Sequence, residues 1–260
     1  EKVRPLNWSA LSSPWTPANR GAAGLDEALA FRLWRMAGIP AANTNYFHLR
    51  IIDGTRETTR GNQFEGDNWG LYLALEQTDR RFLDERGLPD GNTFNMHFGS
   101  SNIVNHAYRQ PSNRSDLFTF YGATTRGYNR SNPVQPVAWW NRTVDLESYF
   151  SYRAILEAVN HSDLRDKENS ILYHDPTKRR WTMIPWDVDL LYEEFDRWGP
   201  NAVQSPATLE QFRKALTHPE INIRFQNRAR ELQDLLLNSD QGWTLVDELA
   251  SILGSSQGNL

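Results

Sequence analysis

Two short stretches of this 260-residue chain gather the side chains with chemical reach. Asn160-His161-Ser162-Asp163-Leu164-Arg165-Asp166-Lys167-Glu168-Asn169 is followed, after a short interval, by Ile184-Pro185-Trp186-Asp187-Val188-Asp189. The carboxylate of Asp163 could accept a hydrogen bond from an attacking hydroxyl and aim its oxygen. Asn169 and Asp187 offer the hard oxygen ligands that magnesium prefers. Asp189, two residues on, points the same way as Asp187 if the run is extended. Arg165 and Lys167 bring positive charge for phosphate oxygens. Together these groups suit phosphoryl transfer, in which a metal–phosphate complex is held and a hydroxyl is oriented. Singly, each has a plainer reading: Asp163 and Asp166 cap a helix or turn, Asn169 bonds to backbone, and Asp187 and Asp189 pair with arginines. The combination favours chemistry. The apolar run Met183-Ile184-Pro185 with Trp186 puts Asp187 where a buried strand ends, and a carboxylate there needs a cation or several donors.

Such a site needs elements that deliver its residues to one place. Leu146, Tyr149, Phe150, Ala154, Leu156 and Val159, with the aliphatic stem of Arg153, recur at helical spacing behind Asp145 as N-cap. A helix therefore leads straight into residues 160–169. Residues 170–174 and 180–184 read as strands joined by the turn Asp175-Pro176-Thr177-Lys178, and this hairpin returns the chain from Asn169 to Asp187. Upstream, Leu25, Ala28, Leu29, Leu33 and Met36 predict a helix over 25–37, which Gly38 can end in the left-handed conformation. Residues 46–52 and 69–76 predict an antiparallel strand pair, residues 79–85 a short helix, and Leu88-Pro89-Asp90-Gly91 a turn. Residues 97–137, rich in Asn, Ser, Arg, Gly and Tyr, show little periodicity and are expected to be the longest irregular stretch. Helices are expected over 209–216, 223–237 and 244–253. Strands dominate the first third and helices the rest, which predicts an α+β fold with a small sheet lobe and a mainly helical lobe, in one domain over 1–260.

Bulk properties narrow the function classes. A net charge of -4 opposes non-specific nucleic-acid binding, which needs a basic face. No apolar run is long enough for a membrane span. With no cysteine there are no disulfides, thiolate metal sites or cysteine nucleophiles. His97, His106, His161 and His174 lack the spacing of a zinc site. No Walker loop and no G-x-S-x-G elbow is present. Trp139-Trp140 and the aromatic residues within 118–128 could stack on sugars or peptides, but packing within the fold is the favoured reading. The opening Glu1-Lys2-Val3, without Met, is expected of a fragment or processed product.

The order helix, Asp loop, Asn, strand, turn, strand, Asp is also that of a protein kinase's catalytic centre. Residues 161–169 resemble its catalytic loop, with one residue more between Asp163 and Asn169, and Trp186-Asp187-Val188-Asp189 stands where Asp-Phe-Gly would be. More specifically, the chain resembles the CotH kinases, a family named after a spore-coat protein. Gly70-Leu71-Tyr72-Leu73-Ala74-Leu75-Glu76-Gln77-Thr78-Asp79 with Phe82-Leu83 is similar to that family's G-x-Y-x-x-x-E-x-x-D…F-L strand and turn. Residues 160–163 with Asn169-Ser170-Ile171-Leu172-Tyr173 are similar to its Asn/Asp loop and following strand. The most specific match is Trp181-Thr182-Met183-Ile184-Pro185-Trp186-Asp187-Val188-Asp189, which resembles the Pro-Trp-Asp-x-Asp signature. Gly38-Ile39-Pro40-Ala41 sits at the family's G-(V/I)-P step, and the similarity covers residues 20–200, more weakly to the end.

The resemblance implies an atypical protein-kinase-like two-lobe fold. Its β-rich N-lobe would be small and truncated, within residues 1–85, and its C-lobe mainly helical, over 86–260. The implied reaction is transfer of the ATP γ-phosphoryl group to Ser or Thr hydroxyls of a protein acceptor, with Mg2+ as cofactor and Mn2+ or Ca2+ as substitutes. Asp163 would be catalytic, and Asn169, Asp187 and Asp189 would face the metal. Glu76 would be structural or at the nucleotide edge, Glu27 the partner of a phosphate-binding lysine, and Arg165 and Lys167 would meet the cofactor's phosphates. The family habit implies a cell-surface or extracellular place, as in a spore coat. The chain departs from the family in showing no glycine-rich loop and only Lys2 as an early lysine. Two other readings compete: a surface or secreted assembly module with a structural cation, and a glycoside hydrolase using Asp163 and Asp187. The last ranks lowest because it gives Asn169 and the hairpin no role.

Overall fold

The structure, a computed structural model, describes residues 6–9, 24–51, 67–97, 100–124, 135–161, 164, 169–192 and 211–255. Its first sheet has the strand order β1-β3-β2, all antiparallel, from β1 (Leu6–Ser9), β2 (Thr44–Ile51) and β3 (Asp67–Glu76). Period-two alternation puts Tyr46, Leu73 and Leu75 on one face. That face packs on Ala28 and Leu29 of α1 (Leu25–Met36) and on Leu249. A bulge beside Leu49 places Gly70 at φ 95, a conformation that a Cβ would strain. The end of α1 follows its sequence signal: Gly38 turns left-handed at φ 85, and the Ile39 N–H donates to the Trp34 carbonyl at 2.9 Å.

Beyond β3, Asp79 caps α2 (Arg80–Glu85) by accepting from the N–H groups of Arg81 (2.9 Å) and Phe82 (3.2 Å). Then come β4 (Asn92–His97), β5 (Ser100–Asn105), α3 (Ser115–Thr124), α4 (Val137–Thr143) and α5 (Leu146–Ala158). Asp145 caps α5 through the Ser148 N–H, as its position predicts. The expected hairpin forms from β6 (Ser170–His174) and β7 (Trp181–Pro185). Its turn is held by the Asp175 side chain, which accepts from Thr177 and Lys178 N–H groups at 2.7 and 2.9 Å. These strands complete a second antiparallel sheet, ordered β5-β4-β6-β7.

Residues 97–137 are therefore not one irregular stretch, since β5, α3 and the start of α4 lie within them. The strand Ser-Ser-Asn-Ile-Val-Asn draws its conformation from pairing with β4 rather than from its own apolar pattern. In α3 the buried positions Leu117, Phe120, Tyr121 and Thr124 do have helical spacing, but Asn- and Arg-rich flanks hide it. To the expected strands of the 170–185 hairpin the second sheet adds two that were not foreseen, β4 and β5, over residues 92–105. The helix expected over 209–216 is a 3-10 helix, Gln211–Thr217. It leads into α6 (Pro219–Leu235), which starts earlier than its apolar pattern indicates because Pro219 occupies the first turn. Last comes α7 (Ser239–Ser255).

The main core gathers the apolar faces of α1, α3 and α5, the inner residues of β4, β6 and β7, and α6. Trp181 stacks between Phe120 (4.8 Å) and His174 (4.3 Å), and Phe120 stacks on Trp139 (6.2 Å). Trp140 is fully buried, so the Trp139-Trp140 pair packs within the fold, as favoured from sequence. The Arg228 guanidinium joins three helices, donating to Ser151 Oγ on α5 (2.8 Å) and to the Ala37 carbonyl that ends α1 (3.2 Å).

Candidate functional site

The β6–β7 hairpin brings together residues far apart in sequence. Ser170 pairs with Pro185, so Asn169 and Trp186 stand one step beyond the ladder and Asp187 one step further. All five residues of β7 are buried, whereas Asp187 is exposed. Both Asn169 (φ 52) and Asp187 (φ 54) adopt the left-handed conformation, which Asn and Asp tolerate better than other non-glycine residues. Such backbone at the ends of two adjacent strands is a feature that recurs at binding sites. It also corrects the expectation of an extended run from Asp187 to Asp189. Alternation fails at Asp187, yet both carboxylates line one cavity of about 460 Å3.

The segment beyond Asp189 is tied to the end of α5. The Tyr192 N–H donates to the Val159 carbonyl at 2.8 Å, and His161 hydrogen-bonds to the backbone of Leu190. His161 is fully buried, and burial pushes its imidazole down to about 4, so it is neutral at physiological pH. Leu164 joins Val188 and Leu191 in the main core. His161 and Leu164 are thus anchored beside the chain that carries Asp187 and Asp189. Asp163, Arg165 and Lys167 lie outside the described residues.

Glu27, in the first turn of α1, lines the same cavity. Its carboxylate accepts from Ser9 Oγ at 3.0 Å, which links β1 to α1. Burial pushes Glu27 up to about 7, against the Ser9 hydrogen bond and with help from the negative charges of Asp26, Asp189 and Asp187. A carboxyl whose folded pKa exceeds its unfolded value stabilises the fold below the unfolded pKa and loses that contribution as pH rises through the folded one. In chelator, stability should therefore fall between pH 4.5 and about 7. Glu27→Gln should remove this slope and leave the protein more stable at pH 8, by on the order of 3 kcal/mol. Urea unfolding across pH measures it, and an unchanged slope in the variant would refute it.

Asn7 and Ser9 of β1, Asn95 and His97 of β4, Asn102 of β5, and the apolar surfaces of Trp8, Leu75, Trp186 and Val188 complete the described lining, which contains no Lys or Arg. Lys2, the one early lysine that could have partnered Glu27, lies outside the described residues. The β4 and β5 side chains were missed from sequence because those strands were not recognised; alternation from Asn95 to His97 was the available signal. Among the described residues no three His, Asp or Glu side chains form a ready ion-holding group. The donor chemistry nevertheless fits a hard divalent cation: Asp187 and Asp189 bring carboxylate oxygens to the cavity beside Glu27, which burial first and neighbouring negative charge second have lifted, while Asn169, buried at the adjoining strand end, is not among the lining residues. Magnesium commonly takes one or two carboxylates and completes its shell with water and phosphate.

Glu76 is not among the residues lining this cavity. It accepts from Arg86 at 2.6 and 3.3 Å and from the Asn43 N–H at 3.1 Å. Arg86 also donates to the carbonyls of Ala41 (2.7 Å) and Phe82 (3.0 Å) and lies over the Phe82 ring. The pair joins the end of β3 to α2 and to the Gly38–Ala41 step. Removing one partner of such a buried pair leaves the other charge uncompensated. Glu76→Gln should cost on the order of 3 kcal/mol in thermal unfolding while ligand binding at the cavity persists. Intact stability with lost binding would instead place Glu76 at the ligand.

A family model described as CotH kinase protein matches residues 21–257. Among curated proteins no match is found. The matched range contains every motif residue discussed above and extends through α7.

Proposed function

Because this chain belongs to the CotH kinase family, we propose that it transfers the γ-phosphoryl group of ATP to Ser or Thr hydroxyls of a protein. The observation that carries this reading is the convergence of Glu27 with Asp187 and Asp189 on one cavity, bordered by the strand end that bears Asn169. Asp187, Asn169 and Asp189 would hold a divalent cation, whose charge would offset that of the phosphates. Asp163 would accept a hydrogen bond from the acceptor hydroxyl and aim it at phosphorus. Arg165 and Lys167, from the same loop, would meet the phosphates. The apolar walls at Trp8, Leu75 and Trp186 would limit water at the reacting centre. A cell-surface or extracellular place is part of the same proposal and rests on the family habit.

With carboxylates and no Lys or Arg in the described lining, a bare triphosphate is repelled. ATP should therefore stabilise the protein only together with Mg2+. Thermal shift with Mg·ATP, ATP plus EDTA, Mg2+ alone and Ca2+ alone tests this, beside transfer of labelled phosphate to a Ser/Thr-rich protein acceptor. Stabilisation by Ca2+ alone, with neither nucleotide effect nor transfer, would favour the second reading of a surface assembly module with a structural cation. The observation that favours this second reading is a described lining with carboxylates and no Lys or Arg.

A further inference from the structure

We propose that the β4–β5 hairpin supplies the wall that holds the polyphosphate, with His97, Asn95 and Asn102 donating N–H groups where a lysine would otherwise stand. The inference rests on the phosphotransferase reading and adds to it which residues grip the nucleotide's phosphates. Met96 pairs with Ser170, so His97 and Asn169 each lie one residue beyond that last pair of neighbouring strands. His97 lines the same cavity as Asp187, so phosphates held there come within its reach. Asn95 is the direct cross-strand partner of Asn102 and shares its face with His97. All three line the cavity that also holds Glu27, Asp187 and Asp189.

Charge explains why neutral donors suit this wall. Phosphate oxygens that do not face the cation still need N–H partners. A lysine placed beside three carboxylates would pair with them and be drawn off the phosphate, whereas amides and an imidazole N–H hold their aim without adding charge. Asn7, the other amide in the lining, donates to Gln77 Oε1 at 2.7 Å and is engaged there.

His97 and Asn102 are exposed, so their replacement leaves the core intact. The test titrates Mg·ATP and Mg·tripolyphosphate into the wild type, His97→Ala, Asn102→Ala and His97→Gln by calorimetry, with Mn2+ binding alone followed by electron paramagnetic resonance. Each alanine variant should weaken both polyphosphates about tenfold or more, while Mn2+ binding holds and His97→Gln, which keeps a neutral N–H donor, recovers much of the loss. Wild-type affinity for both ligands in the alanine variants overturns this inference alone. A loss confined to the acceptor's KM, or a loss of Mn2+ binding, also overturns it. A wild type that binds neither Mg·ATP nor Mg·tripolyphosphate overturns the phosphotransferase reading and this wall with it.

Discussion

Asp187→Asn is expected to abolish both the Mg·ATP-dependent thermal shift and phosphoryl transfer, the latter by about a thousandfold or more. Asparagine is the informative substitution because it keeps the left-handed backbone that position 187 adopts at φ 54. Alanine there would add a steric penalty of about 1–2 kcal/mol and confuse folding with binding. The amide retains one oxygen but removes the negative charge, and charge is what a cation shared with a triphosphate requires. Asp187 is exposed at the end of a buried strand, so the unliganded variant should melt within a few degrees of the wild type. Less mutual repulsion with Glu27 could even raise that temperature. Retained Mg·ATP stabilisation in Asp187→Asn would remove this residue from the metal and with it the central support of the kinase reading.

Asp163→Ala should separate binding from chemistry. A carboxylate that only orients the attacking hydroxyl contributes roughly 10²–10⁴ to the rate and little to nucleotide affinity. Transfer should fall by about that factor, while the Mg·ATP shift and the Kd from calorimetry stay at wild-type values. His161 and Leu164, on either side in the chain, are both buried, so a substitution between them warrants a check of the unliganded melting temperature. If the variant loses Mg·ATP binding with an unchanged melting temperature, Asp163 belongs with the metal and the division of roles between the loop and the hairpin is wrong.

How far the sequence could be read depended on where each element gets its stability. The β6–β7 hairpin and α5 were legible because buried runs, an Asp cap and an Asp-Pro turn state their structure locally. The second sheet's other half was not, since β5 is a polar strand held by its hairpin with β4, and β4 in turn pairs with β6 across more than seventy intervening residues. At the site, residue type and spacing pointed to Asp187 and Asp189, but the turn at Asp187 followed from no local signal. Glu27 was foreseen as the mate of a lysine. Its burial among other carboxylates depends on how α1 meets the second sheet, which a one-dimensional pattern does not encode. His97 was weighed only as a zinc ligand, and its place at the cavity became visible with the strand that carries it.

The packing of Leu249 on Leu73 and Ala28, with Arg32 of α1 paired to Glu248 of α7, bears on the order in which the chain can fold. The inner face of the first sheet is made early in synthesis, yet part of its cover is supplied by the last described helix. Until α7 emerges from the ribosome, α1 lacks one of its flanks and those leucines stay wet. A nascent chain stalled before residue 239 should accordingly be captured by chaperones and cut by proteases around its first sheet, and it should become resistant only when the final helix is released.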